Sequence, residues 1–507
     1  MILTVVTTGI FLSVFMNKLT TDADRSKELE VFNEALTVVR KDYVEDIPSK
    51  DLIHNAIQGM IGSLDAHSDS IPLEQHHKMQ NDTKDIFIRN LLETTEVKPD
   101  SSGELKLFND TFAIVRKNYE DDRQPKHLIY GAIKGMAASL DPHSEFMTPE
   151  QYKEMQVDAE GEFGGIGIKS DIKEGMLTVT DLLDGTPAFR GGLSEGDKII
   201  KINNESTKEM GLQDAISKMR GIPSTTVKLT IFREGWKETK DFTIVRGIIK
   251  IDSVKAKMME DGIGYIKIYQ FQKQTASDFS AALSRLMQDN MNSLVIDLRD
   301  NPGGLLYSAV DVASRFIPSE KLVVYTKDRK GNKKEYRSRK NNSYSAVPMV
   351  VVVNGGSASA SEILAGALKD WQRAAIVGTT TYGKGSVQTV VPLKDGSALR
   401  LTTAKYYTPK GISIQTTGIS PDILVKPKIE KGQQVRLVKR EKDLEGHLTN
   451  VGTEKLVVSD EIVPITIHET EDVQLRSAIH LLKTGSFRNR NSAYAGNVLR
   501  ETPVNNM

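Results

Sequence analysis

VVVVNGGSASASEILAGALKD, residues 350–370, is the stretch on which the fold turns. Four valines in a row suit a strand buried on both faces, as in the middle of a parallel sheet. Asn354-Gly355-Gly356 breaks that strand, and small residues lead into a helical pattern at Ser359-Ala360-Ser361-Glu362. An earlier stretch, VIDLRDNPGG at 295–304, has the same design: Gly303 and Gly304 follow a buried strand and open a helix. Outward from these two junctions, SLVIDLR, LLYSAVDVASRFI, PMVVVVN, SEILAGALKDW and AAIVG alternate strand with helix. That order predicts a layered α/β domain with parallel strands over about 250–428. Such junctions expose backbone amides at the carboxyl ends of strands, where open α/β sheets place ligands. Amides aimed at one point can stabilise a developing oxyanion.

A serine at the second junction needs a base to become a nucleophile. No histidine occurs between His143 and His447, so lysine is the remaining option within this domain. A buried lysine can serve if burial lowers its pKa enough to leave a neutral amine. Lys384 lies in GTTTYGKGS, 378–386, which at first resembles a phosphate-binding loop. The position after its lysine should be Ser or Thr but is Gly385, and SVQTVVPL beyond it reads as a strand where that loop must open a helix. A competing reading of Ser359 to Glu362 is a helix-capping box, and Lys384 by itself would read as a surface lysine. Spacing alone leaves both readings open.

The 507 residues carry 67 basic and 67 acidic side chains and no cysteine. Balanced charge gives no global attraction to nucleic acid or anionic lipid, and the lack of cysteine excludes disulfides, thiol nucleophiles and cysteine metal sites. The first seventeen residues, MILTVVTTGIFLSVFMN, are uncharged, and residues 1–27 are expected to be an export signal or a single membrane anchor. ELEVFNEALTVVRKDY from Glu28 and ELKLFNDTFAIVRKNY from Glu104 begin two copies of one helical module, 28–80 and 104–156, with 81–103 as linker. The first copy carries no candidate chemistry. Its expected roles are a spacer from the membrane or a docking surface that pairs protomers. Residues 160–246 turn to short strands with glycine punctuation and one short helix, LQDAISKM. Residues 431–507 are charged with two apolar patches, and partial order is expected there. SDIK at 170–173 and KTG at 483–485 echo penicillin-binding enzymes, but Ser170 falls in a strand pattern and no S-D-N exists.

NPGG, NGGSASASEILAGALKD, GTTTYGKGSVQT and AKYYTPKGISIQTTGISPDILV together closely resemble the carboxyl-terminal processing, or tail-specific, proteases. The likeness is colinear from about 104 to 428 and reaches weakly into the tail at REKDLEGHL. It implies a multidomain α/β protein: a crotonase-like α/β protease core at 250–428, a PDZ β-domain at 160–246 and N-terminal helical modules. It implies Ser359 as nucleophile, Lys384 as base and Gln388 orienting the lysine, with no metal or nucleotide cofactor. The oxyanion donors would be the amides of Ala360 and of Gly303 or Gly304. GGIGI resembles the PDZ carboxylate loop, so the amides along Gly165-Ile166-Gly167-Ile168 would hold the free C-terminus of a protein or peptide substrate. Arg220 resembles an arginine that links peptide occupancy to catalytic alignment, against the alternative of a solvated surface residue. The location implied is exported, periplasmic or membrane-anchored, with a homodimer through the N-terminal helices as a possible assembly. Two other readings stay open: an idle PDZ scaffold, and a crotonase-type acyl-CoA enzyme.

Overall fold

The computed structural model describes residues 28–64, 101–118, 125–340, 344–427, 439–449 and 472–484. The signal or anchor segment 1–27 therefore lies outside the described residues, as does the linker up to residue 100. Its last three residues belong to the helix Ser101–Asn118, which starts earlier than the module boundary read from sequence.

The valine run forms the strand Met349–Val353, buried along its whole length. It lies inside a six-stranded sheet ordered Val254–Met258, Ile263–Ile268, Ser293–Asp297, Met349–Val353, Ala375–Gly378, Ile423–Leu424. The first pair is antiparallel and all the others are parallel, as the strand-helix alternation predicts. Successive side chains leave a strand on opposite faces, so the valines divide two and two. Val351 and Val353 join the core built with the helices Thr275–Gln288, Leu306–Ala313 and Ala360–Asp370. Val350 and Val352 pack on the opposite face, against Ala478, Ile479 and Leu482 of the helix Val473–Thr484. That helix comes from the segment expected to be only partly ordered; it packs over Ser293–Asp297, Met349–Val353 and Ala375–Gly378 on that face of the sheet. Arg299 locks it in place, with two nitrogens on Asp472 at 2.7 Å and a further bond to buried Asp297 at 2.6 Å.

A second, five-stranded sheet centres on Ala398–Tyr407, which pairs with Glu145–Met147, Ser386–Pro392 and Leu322–Asp328. Leu399 and Leu401 face the helical modules, and Tyr406 faces the α/β core, the alternation a sandwiched strand requires.

The duplicated modules pair with each other inside the chain. Phe32 and Phe108, equivalent across the 76-residue offset, stack with ring centroids 3.7 Å apart and planes inclined by 6°. Gly59 and Gly135, also equivalent, sit where Ser49–Gly62 crosses Pro125–Ala138, and a Cβ on Gly59 would lie 2.6 Å from the Gly135 Cα. Contacts between equivalent residues are what a local two-fold axis produces. The first copy is also fastened to the protease sheet: Val44 N donates to Thr402 O at 2.9 Å, and Arg329 meets Asp46 at 2.8 Å. The first copy shares one core with the second copy and with Leu399 and Leu401.

The 160–246 segment folds as expected into a small β-domain, Ile168–Lys173, Met176–Leu182, Lys198–Ile202, Thr226–Phe232 and Lys240–Val245 in sheet order, with Leu212–Met219 as its helix. Ile168–Lys173 is an edge strand. A two-stranded ribbon, Glu162–Gly165 with Gly247–Lys250, joins this domain to the core.

Candidate active site

Ser293–Asp297 and Met349–Val353 are neighbours, with Asp297 opposite Val352, so the two glycine junctions emerge side by side at their carboxyl ends. Asn301 stitches them together. Its carbonyl accepts from Ala358 N and Ser361 Oγ, both at 3.0 Å, and its side chain accepts from Gly303 N at 2.9 Å. Ser359 stands between Ala358 and the helix Ala360–Asp370 with φ 54° and ψ −113°. That conformation is rare for a residue with a Cβ, and it clusters at functional turns. Gly303 lies against it: a Cβ there would come within 2.8 Å of Ser359 Cβ and 2.9 Å of Ala360 N.

Glu362 does more than cap the helix. It is completely buried, and Oε2 accepts Ser359 N at 2.8 Å and Lys384 N at 3.0 Å. Oε1 accepts Gly383 N at 2.7 Å together with the Thr381 hydroxyl. One oxygen thus holds the backbone amides of both Ser359 and Lys384, which cannot be more than about 6 Å apart. The Tyr406 hydroxyl performs the same service for their carbonyls, donating toward Ser359 O and Lys384 O. Burial pushes the Glu362 carboxyl up to about 7 against the pull of its four donors. Burial likewise brings the Lys384 ammonium down to about 8, helped by Arg400 and opposed by Glu441, Asp141 and Glu362. A neutral amine is accessible at modest alkalinity, as the lysine-base reading needs.

Gln388 lies beside this loop on the strand Ser386–Pro392 and donates to Ser386 Oγ at 2.9 Å and Thr402 Oγ1 at 3.3 Å. Among the described residues no hydrogen bond joins the Lys384 amine to Ser359 or to Gln388. Of the two candidate oxyanion glycines, Gly303 has its amide engaged by Asn301. Phe271 N donates to Gly303 O and Leu305 N to Phe271 O, both at 2.7 Å, so the intervening Gly304 amide points to the other side.

In the β-domain, Ala188 N donates to Ile166 O at 2.8 Å and Leu183 N to Gly167 O at 3.0 Å. Peptide planarity then turns the amides of Gly167 and Ile168 the opposite way, at the open edge of Ile168–Lys173. Gly167 has φ +83°, and a Cβ there would strike Thr186 at 2.3 Å, so the loop shape depends on glycine. Arg220 is half-buried, its guanidinium 4.4 Å from the centroid of the Phe163 ring on the joining ribbon. The contact is a cation–π one at the domain joint.

Sequence reading singled out Ser359, Lys384 and the glycine junctions, and it placed Glu362 only as a cap. It missed Asn301 and Tyr406, and Glu441 near Lys384, as parts of the site. Tyr406 and Glu441 lie in stretches that carry the family likeness, but neither has a local pattern announcing its role.

A family model described as Peptidase family S41 matches residues 262–425, and a PDZ domain model matches 154–232. A third, the activating protease CtpB N-terminal domain, matches twice, at 13–69 and 73–151, once for each copy of the duplication. The chain is 42% identical over 399 residues to the carboxy-terminal-processing protease of Bartonella bacilliformis, covering 77% of this chain and 91% of that protein. It is 37% identical over 319 residues to the carboxy-terminal processing protease CtpB of Bacillus subtilis, covering 62% and 66%. Among solved structures, the photosystem II D1 C-terminal processing protease shares 27% identity, covers 79% of this chain and 93% of its own, and has a TM-score of 0.42. Extensive identity along nearly the whole of one such enzyme shows the family: this chain belongs to the carboxy-terminal processing proteases, PDZ-containing serine peptidases of family S41.

Proposed function

We propose that Ser359 and Lys384 are the nucleophile and general base of this protease. The observation that carries the reading is the buried Glu362 carboxyl, which binds the backbone amides of both residues at once. Neutral Lys384 takes the hydroxyl proton as Ser359 Oγ attacks the scissile carbonyl carbon. The resulting oxyanion falls to the amides of Ala360 and Gly304, a pairing favoured because the Gly303 amide is already engaged. Collapse breaks the C–N bond, the ammonium of Lys384 returns its proton to the departing amine, and water then hydrolyses the acyl-serine by the same route. Gln388 orients the lysine once the side chains close on one another.

The β-domain holds the terminal carboxylate of a protein or peptide on the Gly167 and Ile168 amides while the chain adds as a strand along Ile168–Lys173. Arg220, stacked at the ribbon, passes occupancy on to the protease core. The uncharged first seventeen residues support export, to the periplasm or to a membrane anchor facing it. Pairing of the two modules within one chain supports a self-contained N-terminal unit in place of a homodimer through those helices.

Purified Ser359→Ala and Lys384→Ala, each verified as folded, are expected to lose about 10³-fold or more of peptide hydrolysis. Amidation of the substrate C-terminus is expected to raise KM in the wild type. Ordinary turnover by folded Lys384→Ala would overturn the dyad and point to a differently equipped core.

A further inference from the structure

Glu441 lies 57 positions beyond Lys384, in the tail turn Glu441–Asp443, and it is fully buried. A carboxylate so placed needs donors. Oε2 meets His143 Nε2 at 2.7 Å and Oε1 accepts Gln415 Nε2 at 2.8 Å. Gln415 passes the contact on, its Oε1 accepting Gly385 N at 2.8 Å, while Glu441 N donates to Tyr382 O at 3.2 Å. Residues on both sides of Lys384 are therefore gripped, one directly and one through Gln415. Gly385 is needed for this approach, since a Cβ there would lie 2.6 Å from Gln415 N. His143 brings in the second helical module, and its own amide donates to Asp141 Oδ1 at 2.8 Å. The same Asp141 oxygen accepts the Thr402 hydroxyl at 3.1 Å, and Thr402 is the residue on which Gln388 leans.

The charge around Lys384 follows from these contacts. Glu441 and Asp141 act from the tail and the module, Glu362 from the helix, and Arg400 from the long strand with opposite sign. Tyr382 and Tyr406 stay neutral nearby, with burial raising both. Within the tail turn, Arg440 is drawn away to Thr417 O, and Asp443 caps the Arg440 amide. Burial works to raise the Glu441 carboxyl, but His143, Gln415 and Lys384 overcome it and leave it below the usual range.

We propose that Glu441, paired with His143, is a positioning residue for Lys384: it fixes the loop that presents the amine and supplies negative charge that keeps the ammonium form within reach. The inference rests on Lys384 being the base. The pair makes catalysis depend on two segments outside the protease core, the tail and the second module.

The test is the pH dependence of kcat/KM for the full chain and for Glu441→Gln, Glu441→Asp and His143→Ala, each checked by thermal melting. Glu441→Gln removes the charge but keeps the shape, so the acid limb is expected to move down by about 0.5–1 pH unit. Plateau kcat should fall at least about tenfold with KM little changed. Glu441→Asp keeps the charge and is expected to leave the limb near its wild-type position. His143→Ala removes the partner that helps hold the buried Glu441 carboxyl in its charged form, so the limb is expected to move down, in the same direction as in Glu441→Gln; it carries the test alone if Glu441→Gln does not fold. A limb unmoved in folded Glu441→Gln, or moved up in His143→Ala, would reduce the pair to scaffold and overturn the proposal. Inactive Lys384→Ala with an unmoved Glu441→Gln limb sinks this inference alone, whereas active Lys384→Ala sinks the dyad as well.

Discussion

Ser359 is held in a backbone conformation that costs about 1–3 kcal/mol, so its neighbours must over-determine it. Glu362 takes its amide, Tyr406 its carbonyl, and Gly303 leaves the space in front of it open. Gly303 is the most exacting of these. Its φ is +103°, and any Cβ would sit 2.7 Å from Ala358 O as well as against Ser359 and the Ala360 amide. Gly303→Ala is therefore expected to lower kcat by about 10²-fold or more, by displacing the serine and one oxyanion donor. The accompanying stability loss should be about 1–3 kcal/mol. Steady-state kinetics beside a thermal melt would check this; wild-type kcat in Gly303→Ala would mean that the Ser359–Gly303 contact has no catalytic consequence.

The tail helix shows what an element contributes and how far it could be read. Four consecutive valines announce a strand covered on both faces, but they do not say what covers the second one. The cover is Val473–Thr484, which places Ala478, Ile479 and Leu482 over Val350, Val352 and Val377. A chain ending after residue 471 would uncover those valines and leave Arg299 without Asp472. At about 1.5–3 kcal/mol per large apolar side chain exposed, several kcal/mol should be lost, seen as a marked fall in the melting temperature. An unchanged melt would show that the helix is dispensable cover. Local pattern sufficed for elements whose period and turns are self-contained, such as Leu212–Met219, Ser386–Pro392 and the strands beside the two glycine junctions. It failed where the decisive partner is distant. Glu362 looks like a cap because its second function depends on a loop 21 and 22 residues away, and Glu441 meets His143 across 298 residues. Chemistry shared among separate segments leaves no period in any one of them.

At the scale of the whole molecule, the α/β core is enclosed by parts that other segments supply. The paired modules cover the five-stranded sheet, the tail helix covers the six-stranded one, and the PDZ domain hangs on a two-stranded ribbon. The duplication was legible as a repeat, but self-pairing was not, because two copies of one amphipathic unit can meet within a chain or between chains. In this chain Phe32 and Phe108 meet, and the first module reaches Thr402 beside Gln388. The serine and lysine are joined through Glu362 and Tyr406 rather than directly, so their reactivity is what the whole arrangement has to produce. Labelling with a serine-reactive phosphonate or sulfonyl reagent, mapped by mass spectrometry across a pH series, measures it without reference to any substrate. Burial brings Lys384 down to about 8, and only its neutral form can accept the hydroxyl proton, so labelling should rise as pH passes through that region. The account predicts one adduct, on Ser359, rising with pH in the wild type and absent from folded Lys384→Ala. An adduct on another serine, or equal labelling of Ser359 in Lys384→Ala, would contradict it.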